Sequence, residues 1–137
     1  MTLVLDASLT IAALLKDERT QAAQEILHRV SDVGGWVPSL WRLEVANVLR
    51  NAVRRGRCDQ AFTDATLKDL AGFPITVDAE TDSQAWGATL NLSRAESLTL
   101  YDAAYLELAI RLGATLASCD KDLAAAARRN GLEVLTA

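Results

Sequence analysis

The sequence predicts an α/β fold with three layers, in which helices cover both faces of a central parallel sheet of about four to five short strands. Short apolar segments alternate with longer segments of helical periodicity along the 137 residues, an order that favours parallel strands joined by helices. The composition is half hydrophobic, rich in Ala and Leu and poor in Pro and aromatic residues, which argues against a β-sandwich or a disordered chain. A chain of this length fits one folded unit, so we expect a single domain over residues 1–137.

The first three elements follow from the pattern of apolar residues. Residues 2–6 are rich in Leu and Val without alternation, as in a strand that is buried on both faces. Ser8 is placed to cap a short apolar helix that runs through Leu15, and apolar residues then recur at helical spacing over 22–30. The glycine pair at 34–35 should end this second, amphipathic helix.

The rest of the chain continues the alternation of strands and helices, with Gly, Pro and small polar residues at the boundaries. The predicted elements are a strand at 36–37, a helix capped by Ser39 and ended by Gly56, a helix capped by Asp59 that runs to about residue 70, a strand at 73–77 that Pro74 places at a sheet edge, a helix over 79–94, a helix opened by Thr99 and ended by Gly113, a strand at 114–117, an Ala-rich helix from Asp120 to Asn130, and a last strand at 132–135.

Two aspartates end apolar strands of the predicted sheet. Asp6 follows the first strand, and Asp120 follows the strand at 114–117. In an open parallel sheet the carboxyl ends of neighbouring strands meet at one edge, where ligands collect. Ionised carboxylates are costly to bury without a partner, so a divalent metal is the simplest reason for such a cluster. For either residue alone, capping of the following turn or helix is an equally complete explanation.

Glu44 lies on an apolar face of its predicted helix. Leu40 is four residues before it and Val48 four residues after it, so the carboxylate shares the face that is expected to pack. The alternative is that Glu44 stays at the edge of this face and pairs with Arg42 or Arg50.

Asp102 has both a structural and a functional explanation. It follows Thr99 by three residues, and this spacing fits a capping box. Its surroundings are among the most apolar of the chain, so an ionised carboxylate would need a neutralising partner there. The apolar and small neighbours are Leu98, Tyr101, Ala103, Ala104, Tyr105 and Leu106.

Four segments carry these acids: Leu5–Ser8, Leu43–Leu49, Thr99–Leu106 and Leu116–Asp120. In this order they resemble the motifs of PIN-domain ribonucleases, in particular the small VapC toxins of VapBC toxin–antitoxin pairs. The chain departs from the usual fourth motif at Ser118, where Thr is common. The resemblance implies a PIN-like fold, hydrolysis of RNA that leaves a 5′-phosphate and a 3′-hydroxyl, a homodimer, and an antitoxin that wraps the first helices. It further implies that the antitoxin blocks the acidic pocket.

Oxygen ligands alone suit Mg²⁺ or Mn²⁺ rather than softer metals. Cys119 is therefore expected to be a bystander beside the metal, and Asp122 to favour the first turn of its helix. We expect metal-activated water to attack the phosphate. The expected roles are metal ligation by Asp6 and Asp102, further or water-bridged ligation by Asp120, positioning of metal or water by Glu44, and support of the ligands by the hydroxyls of Ser8 and Thr99.

The sequence excludes several other kinds of active site. His28 is the only histidine and lies in a helical segment, so neither a two-histidine mechanism nor a Ser-His-Asp triad is available. A phosphatase of the haloacid dehalogenase type needs a second Asp where Ser8 stands, and no glycine-rich turn indicates a dinucleotide site. The rival that remains is a catalytically inactive PIN-like domain that binds RNA or a partner. The presence of all four acids argues against it.

A net charge of −4 means that RNA must be held by local positive charge. Arg50, Arg54 and Arg57 stand at i, i+4 and i+7 and would form a basic stripe if the helix extends that far. A solvated helix end is the alternative. The three tryptophans could stack bases, although core packing is expected of them in a chain so poor in aromatics.

The remaining predictions concern location and surface. Only two cysteines occur, without C-x-x-C spacing, so neither a disulfide framework nor a zinc knuckle is indicated. There is no basic leader and no apolar run near the ~18 residues of a membrane span, so we expect a soluble protein of the cytoplasm. Apolar residues on the first helices, including Leu14, Leu15, Ile26 and Leu27, are candidates either for the antitoxin surface or for the core.

Overall fold

The computed structural model describes residues 2–137 and contains a five-stranded parallel sheet. Its strands are β1 (Leu3–Leu5), β2 (Gly35–Val37), β3 (Ile75–Val77), β4 (Thr115–Ala117) and β5 (Val134–Leu135). They pair in the order β3-β2-β1-β4-β5, and every pairing is parallel. Strand β1 lies at the centre between β2 and β4, and β3 lies at an edge, as the proline before β3 predicted.

Helices cover both faces of this sheet, which confirms the three-layer α/β/α prediction. They are α1 (Ala7–Leu14), α2 (Gln21–Val33), α3 (Trp41–Arg54), α4 (Gln60–Ala71), α5 (Thr81–Gln84), a π-helical turn (Ala85–Thr89), α6 (Leu90–Glu96), α7 (Leu100–Leu112) and α8 (Lys121–Arg129). None of the helices within residues 2–137 has the length and apolar character needed to cross a membrane.

The core lies around β1 and β4. All three residues of each of these strands are buried, as the absence of alternation in β1 predicted. The same core takes up Leu15, Ile26 and Leu27, and Leu14 packs against it while remaining partly exposed. These residues therefore belong to the core, and the first helices do not present them as a separate apolar surface.

Three predicted helix caps are confirmed. The side chains of Asp59, Thr99 and Asp120 accept hydrogen bonds from the backbone N–H three residues later. Each bond satisfies one of the free N–H groups at a helix start. Two of these caps, Thr99 and Asp120, fix the beginnings of the helices that flank the predicted site.

Two predicted caps are wrong. Helix α1 begins directly after Asp6, so Ser8 lies inside it, and its hydroxyl is used in the site described below. Helix α3 begins after Leu40, and the backbone N–H of Ser39 donates to the Thr81 hydroxyl at 3.1 Å. Neither hydroxyl caps its helix: the Ser8 hydroxyl donates to Asp6, and the contact of Ser39 with Thr81 is made by its backbone N–H.

The helix predicted over 79–94 is interrupted. Gly87 has φ −108° and ψ −107°, which lies outside the helical range, and the π-helical turn around it separates α5 from α6. Glycine tolerates such a kink because it has no Cβ. Trp86 beside it is 90% exposed, so the expected core role is wrong for Trp86, whereas it is confirmed for Trp41, which is 3% exposed.

Candidate active site

The four predicted acids line one cavity of about 470 Å³ at the carboxyl edge of the sheet. Asp6 directly follows β1 and Asp120 follows β4, and these strands are paired neighbours with Leu5 opposite Ala117. The first turns of α3 and α7 add Glu44 and Asp102. The lining residues are Asp6, Ala7, Ser8, Ile11, Glu18, Glu44, Val48, Asp102, Cys119 and Asp120.

Two serine hydroxyls hold the Asp6 carboxylate. Its Oδ2 accepts hydrogen bonds from Ser8 Oγ at 2.5 Å and from Ser118 Oγ at 2.7 Å. The backbone N–H groups of Cys119 and Asp120 in turn donate to Ser8 and Ser118, each at 3.0 Å. Because each hydroxyl accepts from an amide, its single proton is directed at Asp6. The segment after β4 therefore fixes the orientation of a carboxylate that follows β1.

Burial makes the ionised form of Asp6 unfavourable, because this residue is only 4% exposed. Burial raises the pKa of Asp6, the hydrogen bonds from Ser8 and Ser118 partly offset that rise, and the charge of Asp120 adds to it. Asp6 stands at the N-cap position of α1, although its side chain forms no capping hydrogen bond there. Its carboxylate is held instead by the Ser8 hydroxyl within α1 and by the Ser118 hydroxyl after β4.

Glu44 lies in the first turn of α3 and is half-buried. Its Oε1 accepts a hydrogen bond of 2.5 Å from the hydroxyl of Tyr105 on α7. Within residues 2–137 it forms no ion pair, so the alternative of a partner at Arg42 or Arg50 is wrong. Burial, and then the charge of Asp6, raises the pKa of Glu44, while the bond from Tyr105 lowers it.

Asp102 serves both of its predicted purposes. Its backbone N–H donates to Thr99 Oγ1 at 3.1 Å, which caps α7, and its carboxylate lines the cavity. The pKa of Asp102 is raised to about 6, first by burial and then by the charges of the other three acids. The four carboxylates therefore interact with one another through the cavity.

Positive charge is missing from this cluster. Within residues 2–137 no Lys, Arg or His forms an ion pair with any of the four acids. In the same part of the chain, no three His, Cys, Asp or Glu side chains already form a metal-binding group. Apart from the Cys119 thiol, the side-chain donors that line the cavity are oxygens. This donor set fits a hard divalent cation and fits softer metals poorly.

Cys119 and Asp122 flank Asp120 but differ in position. Cys119 lines the cavity, and burial raises the pKa of its thiol, which disfavours the thiolate form that binds metals. Asp122 is exposed in the first turn of α8 and does not line the cavity. This position is the one expected for an acid that only favours a helix start.

The predicted basic stripe does not form as one helical row. Helix α3 ends at Arg54, and Gly56 with φ +74° turns the chain, so Arg57 lies beyond the helix. Arg57 pairs with Asp17 at 2.8 Å and with Glu18, which itself lines the cavity. Arg50 remains exposed on α3 with Arg54, beside a groove between α3 and α4. An RNA-binding role of the three arginines stays a prediction.

Sequence reasoning missed two residues that hold the site together. Ser118 is fully buried and donates to Asp6, and Tyr105 is fully buried and donates to Glu44. The only signal in the sequence was a polar group within an apolar run beside a predicted acid. Their partners are 112 and 61 residues away along the chain, so spacing could not identify them.

Comparison with known proteins matches this chain to a family. The family model described as PIN domain matches residues 3–129. The protein named Ribonuclease VapC3 from Pyrobaculum aerophilum is 29% identical over 124 residues, which cover 90% of this chain and 93% of the relative. Ribonuclease VapC3 from Mycobacterium tuberculosis is 32% identical over 126 residues, which cover 90% of this chain and 85% of the relative. The chain belongs to the PIN-domain family, in its VapC branch, which confirms the resemblance of the four motifs.

Solved structures share the fold. The crystal structure of PAE2754 from Pyrobaculum aerophilum has a TM-score of 0.71 and 24% identity, and the match covers 98% of this chain and 90% of that one. VapBC2 from Rickettsia felis, solved with a DNA fragment from its promoter, has a TM-score of 0.65 and 16% identity over 100% and 99% of the two chains. At these identities the likeness concerns the fold alone.

Proposed function

We propose that this chain is a Mg²⁺- or Mn²⁺-dependent endoribonuclease and the toxin of a type II toxin–antitoxin pair. The main observation behind this proposal is that four carboxylates line one cavity at the carboxyl edge of the sheet. Within residues 2–137 none of these four carboxylates forms an ion pair. Membership of the PIN family and relatives named as ribonucleases support it.

Asp6, Asp102 and Asp120 are the proposed metal ligands. These carboxylates would hold Mg²⁺ or Mn²⁺, which would lower the pKa of a bound water and offset charge on the phosphate. The hydroxyls of Ser8 and Ser118 both bind Oδ2 of Asp6, so neither of them occupies Oδ1, which is proposed to bind the metal. Asp102 is poised by a pKa of about 6, so that a cation in the cavity would favour its ionised form.

Glu44 is proposed to position the metal or the attacking water. Its carboxylate can accept the proton of a water that attacks the phosphorus, as the bond from phosphorus to the 3′-oxygen breaks. The 3′-oxygen takes a proton from solvent, and the products are a 5′-phosphate and a 3′-hydroxyl. Half-burial keeps this carboxylate in contact with the cavity without isolating it from solvent.

Ser8 and Thr99 support the carboxylates indirectly. Ser8 fixes Asp6 by its hydroxyl, and Thr99 fixes the first turn of α7, from which Asp102 enters the cavity. Ser118 belongs with them because it binds the same oxygen of Asp6 as Ser8 does. Such supporting hydrogen bonds typically contribute about 10-fold to 100-fold in metal affinity or activity.

A cognate antitoxin and a second copy of the chain are the proposed protein partners. Eight large apolar side chains within residues 2–137 are exposed, and the three most exposed are Trp86, Leu43 and Tyr101, at 90%, 76% and 66%. Leu43 and Tyr101 directly precede the cavity acids Glu44 and Asp102, so a partner that covers them would also restrict access to the cavity. Location in the cytoplasm remains a prediction.

RNA cleavage by the antitoxin-free protein tests the proposed function. Structured and single-stranded RNAs are incubated with Mg²⁺, Mn²⁺ or EDTA. Asp120→Asn is compared with Asp122→Asn, because both acids lie at the start of α8 and only Asp120 lines the cavity. We expect metal-dependent cleavage that Asp120→Asn abolishes and Asp122→Asn retains. Cleavage that persists in EDTA would refute metal dependence, and RNA binding without cleavage in every condition would favour the inactive PIN-like domain.

Sedimentation velocity tests the proposed homodimer. The wild-type chain is compared with Leu43→Ser and Trp86→Ser, which remove exposed apolar side chains without touching the core. We expect a wild-type dimer that at least one of the two variants weakens. A wild-type monomer at micromolar concentration would refute the homodimer and would leave the nuclease proposal untouched.

A further inference from the structure

Tyr105 is a buried polar side chain at the edge of the active site. It lies on α7, three residues after Asp102, and its side chain is 0% exposed. Its hydroxyl donates to Oε1 of Glu44 at 2.5 Å. A buried phenol needs a hydrogen-bond partner, and here the partner is a carboxylate that faces the cavity.

The contact determines how Glu44 is held. Within residues 2–137 the Tyr105 hydroxyl is the only hydrogen-bond donor to this carboxylate, and no cation pairs with it. A glutamate in the first turn of a helix otherwise has several accessible rotamers. Fixing one oxygen restricts the rotation of the whole carboxylate and leaves the second oxygen free of the tyrosine.

The Tyr105 hydroxyl keeps its proton in this contact. Burial, and then the charges of Asp6 and Glu44, raises the pKa of Tyr105 above its ordinary value, so the hydroxyl remains available as a donor to Glu44. A structural role alone would not require a carboxylate partner, because the ring already packs in the core.

We propose that Tyr105 is a positioning residue of the active site, whose hydroxyl holds one oxygen of Glu44 so that the other oxygen serves the cavity. The proposal rests on the function proposed above for Glu44. Helix α7 then determines the positions of two of the four acids. It carries Asp102 itself and, about one turn later, Tyr105, whose hydroxyl binds Glu44.

A double-mutant cycle tests this role. Tyr105→Phe removes the hydroxyl and keeps the ring, and Ser83→Ala is the control because it removes an exposed hydroxyl that does not line the cavity. We expect Tyr105→Phe to lower kcat/KM for RNA by about 10-fold to 100-fold, and Ser83→Ala to change it by less than about 2-fold. In a Glu44→Ala background Tyr105→Phe should cause no further loss. Independent, multiplying losses would overturn the proposal, since the hydroxyl would then act without Glu44.

Binding of Mn²⁺ to the RNA-free protein is the second readout. Calorimetric titration should show that Tyr105→Phe and Glu44→Ala each weaken Mn²⁺ binding, by up to about 10-fold, and that the double variant binds no more weakly than Glu44→Ala. Unchanged Mn²⁺ affinity in Tyr105→Phe would overturn the proposal. Thermal unfolding of each variant identifies losses that come from misfolding.

The two readouts separate this proposal from the nuclease proposal. If the wild-type chain cleaves no RNA under any condition, the nuclease proposal fails, whereas the Mn²⁺ cycle still decides whether Tyr105 acts through Glu44. If the wild-type chain cleaves RNA and Tyr105→Phe matches it in both readouts, only the positioning role is refuted.

Discussion

The guanidinium of Arg111 donates one hydrogen bond to each carboxylate oxygen of Asp78, at 3.1 and 2.7 Å. It also donates two bonds to Glu107, four residues earlier on α7, at 2.8 and 2.9 Å. Asp78 and Glu107 are 4% and 6% exposed. One cation therefore neutralises two buried carboxylates and ties the chain after β3 to the helix that carries Asp102 and Tyr105.

Replacement of Arg111 should destabilise the fold. Arg111→Met leaves two buried carboxylates without their cation, and breaking a buried pair costs about 3–5 kcal/mol. We expect about 3 kcal/mol, the low end, because Arg111 itself is 22% exposed and water can replace part of its charge. The free energy of unfolding in urea measures the loss. Arg128→Met, at an exposed position on α8, should stay within about 0.5 kcal/mol of the wild type. Equal effects of the two variants would contradict the prediction.

The same ion pair predicts a loss of stability in acid. Burial alone would raise the pKa of Asp78, but hydrogen bonds from Arg111, the Glu80 backbone and Thr81 outweigh it and hold the pKa below 3.8. The stabilisation is therefore fully present above pH 3.8 and is lost as the pH falls through the folded-state pKa. We expect the urea midpoint to decline below about pH 4. In Asp78→Asn the midpoint should start lower and decline less, and parallel curves would contradict this assignment.

For the metal-free protein, Asp102 predicts the opposite change of stability with pH, namely a gain as the pH falls. Its pKa is about 6 in the folded chain and 3.8 in the unfolded chain, so its ionisation opposes folding fully above pH 6 and not at all below pH 3.8. In EDTA at pH 7.5, Asp102→Asn should stabilise the protein by about 1 kcal/mol, discounted because the group is partly exposed. The gain should vanish near pH 4. Asp122→Asn is the control, and a gain that is the same at both pH values would contradict the prediction.

Divalent metal should stabilise the folded chain. A cation that binds only the folded state adds about 2.7 kcal/mol at a concentration 100 times its Kd. We expect Mn²⁺ to raise the Tm at pH 7.5, and EDTA to reverse the effect. Asp6→Asn should abolish the rise, whereas Asp122→Asn should retain it. A rise of the same size in Asp6→Asn would place the metal elsewhere.

We expect Ser118 to support both the stability and the activity of the protein through its hydrogen bond to Asp6. Ser118→Ala removes a hydroxyl that donates to a buried carboxylate, and a buried acceptor that loses its donor costs about 1–3 kcal/mol. We expect a loss of that size in urea unfolding and a fall of about 10-fold in kcat/KM for RNA. Ser83→Ala, at an exposed serine of α5, should change neither quantity. Full activity in Ser118→Ala would show that Ser8 alone suffices to orient Asp6.

Local pattern predicted much of the fold. Strands β1 and β4 were predictable because a strand buried on both faces lacks alternation, and the caps at Asp59, Thr99 and Asp120 because a capping hydrogen bond spans three residues. The predicted cap at Ser8 is wrong because its hydroxyl donates to Asp6 and accepts from the Cys119 N–H, 111 positions away. The predicted cap at Ser39 is wrong because α3 begins after Leu40, and the backbone N–H of Ser39 donates to Thr81, 42 positions away. The break at Gly87 was missed because one glycine within a helical pattern is tolerated as often as it kinks.

The sequence by itself identified the four acids, because the hydrophobic pattern shows which carboxylates follow buried strands or lie on apolar helix faces. The strand order that brings β1 and β4 together came from the tertiary structure. Only the tertiary structure decided how those acids are held: Asp6 by Ser8 and Ser118, and Glu44 by Tyr105. It also decided that Arg57 pairs with Asp17 and Glu18 instead of continuing the helical stripe. The physical reason is that hydrogen bonds and ion pairs of buried side chains depend on distances of a few ångströms between elements far apart in sequence, which no local pattern encodes.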